Sequence, residues 1–209
     1  MGAPDMTVTT GTTDWVEWAV ADAPIPGQIT SGDGYLVVPQ PLRTLIAVMD
    51  GLGHGPEAHE ATSAAIAAIA ETPDAPLRSL FERCHMALRR TRGVVMSIAV
   101  IASDGQTEWL GVGNVSGHVV RSAPPHRHEG TLARGGVVGW RMPSLDTRSA
   151  RLDAGDLLIM ATDGIQDGFV SSVEPILSPR IVAARILEEN GRGYDDALVL
   201  VARYDGGRR

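Results

Sequence analysis

Apolar residues in this chain come in short, nearly continuous runs, separated by glycine-rich and polar stretches and by three segments with helical spacing. The runs predict β-strands at residues 14–20, 34–38, 44–49, 94–102, 107–112, 119–122, 157–162 and 197–204. Three of them read TLIAVM (44–49), LLIMAT (157–162) and ALVLVARY (197–204). Residues 56–71 open on Pro56, are rich in alanine and place Ala58, Ala61, Ala65, Ile66 and Ile69 at helix-like spacing. A second helix is expected over 77–90 and a third over 179–190, closed by Gly191. Residues 1–13 are small and polar and are expected to be loosely ordered.

Two adjacent helices followed by a run of strands break the strand–helix alternation of a doubly wound parallel sheet. The order favours an α+β layering of packed sheets flanked by helices. The chain has no internal repeat and no long linker, and its 209 residues, 44% of them hydrophobic, suit one domain with a sizeable core.

The net charge of -7 lowers the expectation of nucleic-acid binding, which needs a basic footprint. Arg89, Arg90 and Arg92 cluster at a helix end, where basic residues complement the dipole. Cys84 is the single cysteine, so no internal disulfide forms, and a reducing cytoplasm is the expected setting. Its helical surroundings give it a packing role. The start of the chain has no apolar leader, and no apolar run nears the roughly 20 residues that span a bilayer.

Three acidic sites share one layout. Asp50 ends TLIAVMD before Gly51, Asp163 ends LLIMATD before Gly164, and Asp195-Asp196 precede ALVLVARY. A carboxylate at a strand end is held by the sheet yet free to face a cleft. Several converging carboxylates repel one another unless a hard divalent cation such as Mg²⁺ or Mn²⁺ lies between them. Glycine after the aspartate lets the backbone turn sharply and aim a carbonyl the same way. The competing reading is that each Asp-Gly is an ordinary turn. DGLGHGPEA also leads into unpaired helix amides suited to an anion. Gly53 to Ala58 fits a G-x-G-x-x-A dinucleotide loop, with Glu71 or Asp74 as its ribose acid. Against that loop stand Asp50, which would repel a pyrophosphate, and Pro56, which removes an amide.

VMDGLGHGPEAHEATSAAIAAI, SGDGYLVV (31–38), LGVGNVSGHVV (110–120), LLIMATDGIQDGF (157–169) and YDDALVLVARY (194–204) together resemble the type 2C (PPM) protein phosphatases. Within them the sequence is similar to the SpoIIE-like branch and its small RsbX-type stressosome phosphatases. The resemblance implies a four-layer αββα sandwich, two antiparallel sheets flanked by helix pairs, with residues 1–209 as one phosphatase domain. It implies a binuclear Mn²⁺ or Mg²⁺ centre: Asp50 bridging two ions, Gly51 giving its carbonyl, Asp163 and Asp195 on one side, and Asp33 near the other ion. All five are the expected metal residues, and Asp50, Asp163 and Asp195 the expected catalytic ones. Asp195 and Asp196 compete for one ligand position.

The sequence departs from the family at three places. Leu198 replaces a usual threonine. Asn114 stands where larger relatives carry an aspartate, which removes support for a third metal. His54 is displaced two residues from the histidine position of those relatives and is read as a loop residue, and His59 as a helix-face residue. The resemblance implies a phosphoserine or phosphothreonine substrate on a small STAS-type regulatory protein, and a monomeric enzyme. Specificity is expected from residues 123–147, where Arg127, Arg134 and Arg141 offer charge to an acidic partner. An inactive relative that only binds its partner, and a nucleotide-dependent oxidoreductase, are the alternatives.

Overall fold

The computed structural model describes residues 6–131 and 133–207. Eleven strands form two antiparallel sheets among these residues. The first sheet takes β1 (Thr7–Thr12), β2 (Val16–Ala23), β11 (Ala197–Tyr204), β10 (Leu157–Ala161), β7 (Ser116–Val120) and β8 (His128–Thr131), in that order. The second takes β3 (Asp33–Gln40), β4 (Arg43–Gly51), β5 (Val94–Ala102), β6 (Gln106–Val112) and β9 (Arg148–Arg151).

The near-continuous apolar runs arise because the central strands are covered on both faces. In β4, Ile46 and Val48 meet the other sheet, while Leu45, Ala47 and Met49 meet helices. In β11, Leu198, Leu200 and Ala202 point to the inter-sheet core, and Val199 and Val201 to the helix on the outside. α1 (Pro56–Ala70) and α2 (Leu77–Ala87) cover the second sheet, with Ala61, Ala65, Leu80 and Phe81 buried in that layer. α3 (Pro179–Asn190) covers the first through Val182, Ala183 and Ile186. The four layers match the expected αββα sandwich, but the helix layers are unequal. A pair lies on one side; on the other a single helix is joined by one 3-10 turn, Phe169–Ser172.

Three short edge strands were not expected. β1 pairs along its whole length with β2, so a loosely ordered start does not hold for Thr7–Thr12. Residues 1–5 of that stretch lie outside the described residues. β8 and β9 sit on opposite sheets at outer positions, where mostly exposed polar residues suffice and no apolar run is needed. β8 falls within 123–147, so that segment is not all loop. Among the described residues no helix is long and apolar enough to cross a membrane. Cys84 is buried against Ala65, its thiol pushed up to about 12 by burial.

Candidate metal centre

The acidic residues meet at one end of the sandwich, where both sheets expose their strand ends. Asp33 opens β3 and Asp50 lies near the end of β4, and the two are directly paired across the β3–β4 ladder. Asp163 follows β10 and Asp195 precedes β11, both in the other sheet. Asp50, Asp163 and Asp195 line one open cleft of about 320 Å³ together with His54, Asn114 and Tyr194. The expected residues are therefore brought together, in a gradient from buried Asp33, through half-buried Asp50 and Asp195, to exposed Asp163.

Hydrogen bonds fix this group. Thr162 Oγ1 donates to Asp33 Oδ2 at 2.7 Å and accepts the Leu198 amide at 2.9 Å, tying β3 of one sheet to β10 and β11 of the other. Asn114 Nδ2 donates to Asp163 Oδ2 at 2.7 Å. The Arg192 side chain donates to the Asp163 carbonyl at 2.8 Å, and its backbone amide to the Gly164 carbonyl at 2.8 Å. Asp195 Oδ1 accepts the Asp196 amide.

Asp195 and Asp196 have different surroundings. Asp196 is buried, and its two oxygens accept the amides of Ile25 and Gly32, each at 2.7 Å. It clamps the β2–β3 connection and does not line the cleft. Asp195 does.

Gly51 and Gly164 do not take the positive φ of a glycine turn. A Cβ on Gly51 would lie 2.2 Å from the Ala58 carbonyl oxygen, and one on Gly164 would lie 2.0 Å from that of Asp196. Glycine follows each aspartate because another backbone passes close by, not because a sharp turn needs it. Asp50-Gly51 lies within β4, so the ordinary-turn reading fails there, whereas Asp163-Gly164 does occupy a turn, closed by the Ile165 amide donating to the Thr162 carbonyl at 3.1 Å.

Burial pushes the Asp50 carboxyl up to about 8, and the charges of Asp163, Asp195 and Asp196 push the same way. Asp33 is raised well above the usual range, first by burial and then by Asp50, with the Thr162 hydroxyl opposing. Burial also raises Asp195. A divalent cation relieves this repulsion, and the donors present, carboxylate and carbonyl oxygens, are those that hard cations take. Among the described residues no three acidic, histidine or cysteine side chains close around a single point. An ion here would complete its shell with water, as Mg²⁺ commonly does. On these grounds the residues fit a divalent centre.

The dinucleotide reading does not fit. The glycine loop follows a strand flanked by antiparallel neighbours, not the parallel crevice that such a loop requires. His54 lines the cleft with its Nδ1 2.7 Å from Gln28 Nε2, and His59 Nδ1 lies 3.1 Å from the Ser31 carbonyl. Arg134 pairs with Asp146 on the surface, and Arg127 and Arg141 are not among the cleft residues. Thr162, Arg192, Tyr194 and Gln28 escaped the sequence reading. Only Thr162 and Tyr194 carried a signal, Thr162 as the residue before Asp163-Gly164 and Tyr194 as the residue before DDA.

The model of the family Stage II sporulation protein E (SpoIIE) matches residues 40–205. Phosphoserine phosphatase RsbX of Bacillus subtilis (strain 168) is 27% identical over 140 residues, covering 66% of this chain and 69% of that protein. A solved structure described as "The bacterial stressosome: a modular system that has been adapted to control secondary messenger signaling" is 31% identical. It covers 90% of this chain and 99% of its own, with a TM-score of 0.82. RsbX in complex with magnesium shares the fold at a TM-score of 0.85, with 22% identity over 95% of this chain and 100% of that one.

Proposed function

This chain belongs to the SpoIIE family of PP2C-type, metal-dependent protein phosphatases, and on that premise we propose that it hydrolyses phosphoserine or phosphothreonine on a small STAS-type regulatory protein of a stressosome or partner-switching module. The observation that carries the reading is the cleft at the seam of the sheets, where Asp50, Asp163 and Asp195 present only oxygen donors and burial with the neighbouring acids pushes the Asp50 carboxyl up to about 8.

Asp50 and the Gly51 carbonyl would help hold the two Mn²⁺ or Mg²⁺ ions. Asp163, Asp195 and Asp33 would supply the remaining carboxylate oxygens. When bound, such a pair of ions supplies an acidified water and positive charge for the phosphoryl oxygens. The chain's own groups do the positioning. Asn114 and Arg192 hold Asp163 at its side chain and carbonyl. Thr162 sets Asp33, and Asp196 holds the chain beneath Asp195 to the β2–β3 connection. No serine or cysteine nucleophile is required, in keeping with the buried, non-acidic Cys84.

The substrate class rests on the RsbX and stressosome relatives. A buried single cysteine suits a cytoplasmic setting, and one sandwich suits a single phosphatase domain acting as a monomer. Purified protein incubated with phosphorylated STAS proteins should release phosphate with Mn²⁺ and cease to do so in EDTA. Turnover that persists in excess EDTA would sink the proposal. Metal-independent binding of the partner with no turnover would favour a purely regulatory binder.

A further inference from the structure

A second pocket of about 300 Å³ lies beside the cleft, and Asp195 is a wall of both. It is lined chiefly by Ala23, Pro24, Pro26, Leu187 and Ala197, where the end of β2 and the start of β11 meet the C-terminal turn of α3. The proposed reaction leaves it unused.

The partition between cleft and pocket is the segment from Gly191 to Asp195. Gly191, Gly193 and Asp195 face the pocket; Tyr194 and Asp195 face the cleft. Arg192 fastens this ridge to the Asp163 and Gly164 carbonyls, and its Nη1 lies 3.2 Å from the Tyr194 hydroxyl. The ridge is therefore rigidly tied to the acidic cluster. It is also low: Gly193 has no side chain, and a Cβ there would meet nothing within 4 Å.

Resting on the phosphatase reading, we propose that this pocket is a specificity subsite for one aliphatic side chain of the substrate protein, close in sequence to the phosphoresidue. A chain whose phosphoryl group sits in the cleft must leave it across some edge. Only a single backbone segment parts the cleft from this apolar pocket. Each residue of an extended chain spans at most about 3.3–3.6 Å, so the side chain that drops into the pocket lies about one to three residues from the phosphoserine. The lining favours leucine, isoleucine, valine or methionine. Glu188 is an exposed carboxylate on its rim, so an acidic side chain is disfavoured there.

The test uses the full chain with Mn²⁺ and synthetic phosphoserine peptides carrying leucine, serine, lysine or glutamate at each flanking position in turn. At one position leucine should raise kcat/KM over serine by about tenfold or more, the scale of filling a small apolar pocket. Gly193→Asn keeps a residue tolerant of positive φ but puts polar bulk on the ridge, and should erase most of that preference. Glu188→Leu, on an exposed helix position, should raise it. The preference is a ratio measured on one variant, so a general loss of activity cancels. Equal rates for all flanks in the parent protein, a preference for lysine over leucine, or a leucine preference untouched by both variants would overturn the subsite while p-nitrophenyl phosphate is still hydrolysed. No turnover of p-nitrophenyl phosphate or of any peptide would end the phosphatase reading, and the subsite with it.

Discussion

Asp33 and Asp50 are cross-strand partners in the β3–β4 ladder, and the Asp33 carboxylate takes its hydrogen bond from Thr162, a residue of the opposite sheet. One pair of acids thus sits on the seam that joins the two halves of the sandwich. Like charges placed opposite each other in a ladder destabilise it. Here burial and the neighbouring acids make the conflict larger, and a cation is the natural relief.

The first consequence concerns pH. Asp50 is raised from about 4 to about 8, so between these values the folded, metal-free protein keeps a proton that the unfolded chain releases. Its stability should therefore fall as pH rises from about 4 to about 8, and Mn²⁺ should restore it. Thermal melts across this range, in EDTA and in Mn²⁺, check the sign. Metal binding near pH 7 should also release protons, visible by calorimetry in buffers of different ionisation enthalpy. A melting temperature in EDTA that ignores pH would contradict the repulsion.

Asp195 and Asp196 should separate in mutagenesis. Asp195→Asn should lose at least roughly a hundredfold in phosphatase rate with little change in melting, as expected for a group that acts on the transition state. Asp196→Asn leaves one of two buried amides facing a donor and should cost about 1–3 kcal/mol of stability. Denaturant curves and initial rates on the same preparations decide. Equal effects of the two changes on both readouts would reject the division.

Asn114 touches Asp163 alone among the acids of the cleft. Asn114→Ala should raise the Mn²⁺ concentration for half-maximal activity by about 10–100-fold, the usual cost of losing a partner that orients a ligand. The saturating rate should change far less. A metal titration of activity reads both.

Gly51→Ala and Gly164→Ala should each destabilise the fold by about 1–3 kcal/mol or more, since each new methyl meets a backbone carbonyl that cannot move independently. Chemical denaturation of the two variants, with and without Mn²⁺, provides the measure. A stable, fully active Gly164→Ala would show that the Asp196 backbone has room to shift.

Much of this was legible in the chain. The strand at Val94–Ala102, the helix at Pro179–Asn190 and the strand at Ala197–Tyr204 have the expected boundaries, because apolar residues on two covered faces end where the coverage ends. β1 and β9 escaped because edge strands carry polar residues and draw their order from a neighbour distant in sequence or from a turn. Asp50, Asp163 and Asp195 were readable as strand-end acids. The division of labour between Asp195 and Asp196 was not, since the amides that settle it belong to Ile25 and Gly32. Nor was the reason for Gly51 and Gly164, which depends on the backbone carbonyl that a Cβ at each would strike.

The pairing of β2 with β11 bears on how the protein comes into being. Ile25 and Asp196 are bonded although 171 positions separate them. β2 precedes β11 in the chain, and one of its hydrogen-bonding edges stays open until β11 fills the place beside it. Asp50 and Asp195 are likewise distant in sequence. On the proposed function, the acids of the centre come together only when β11 docks beside β2.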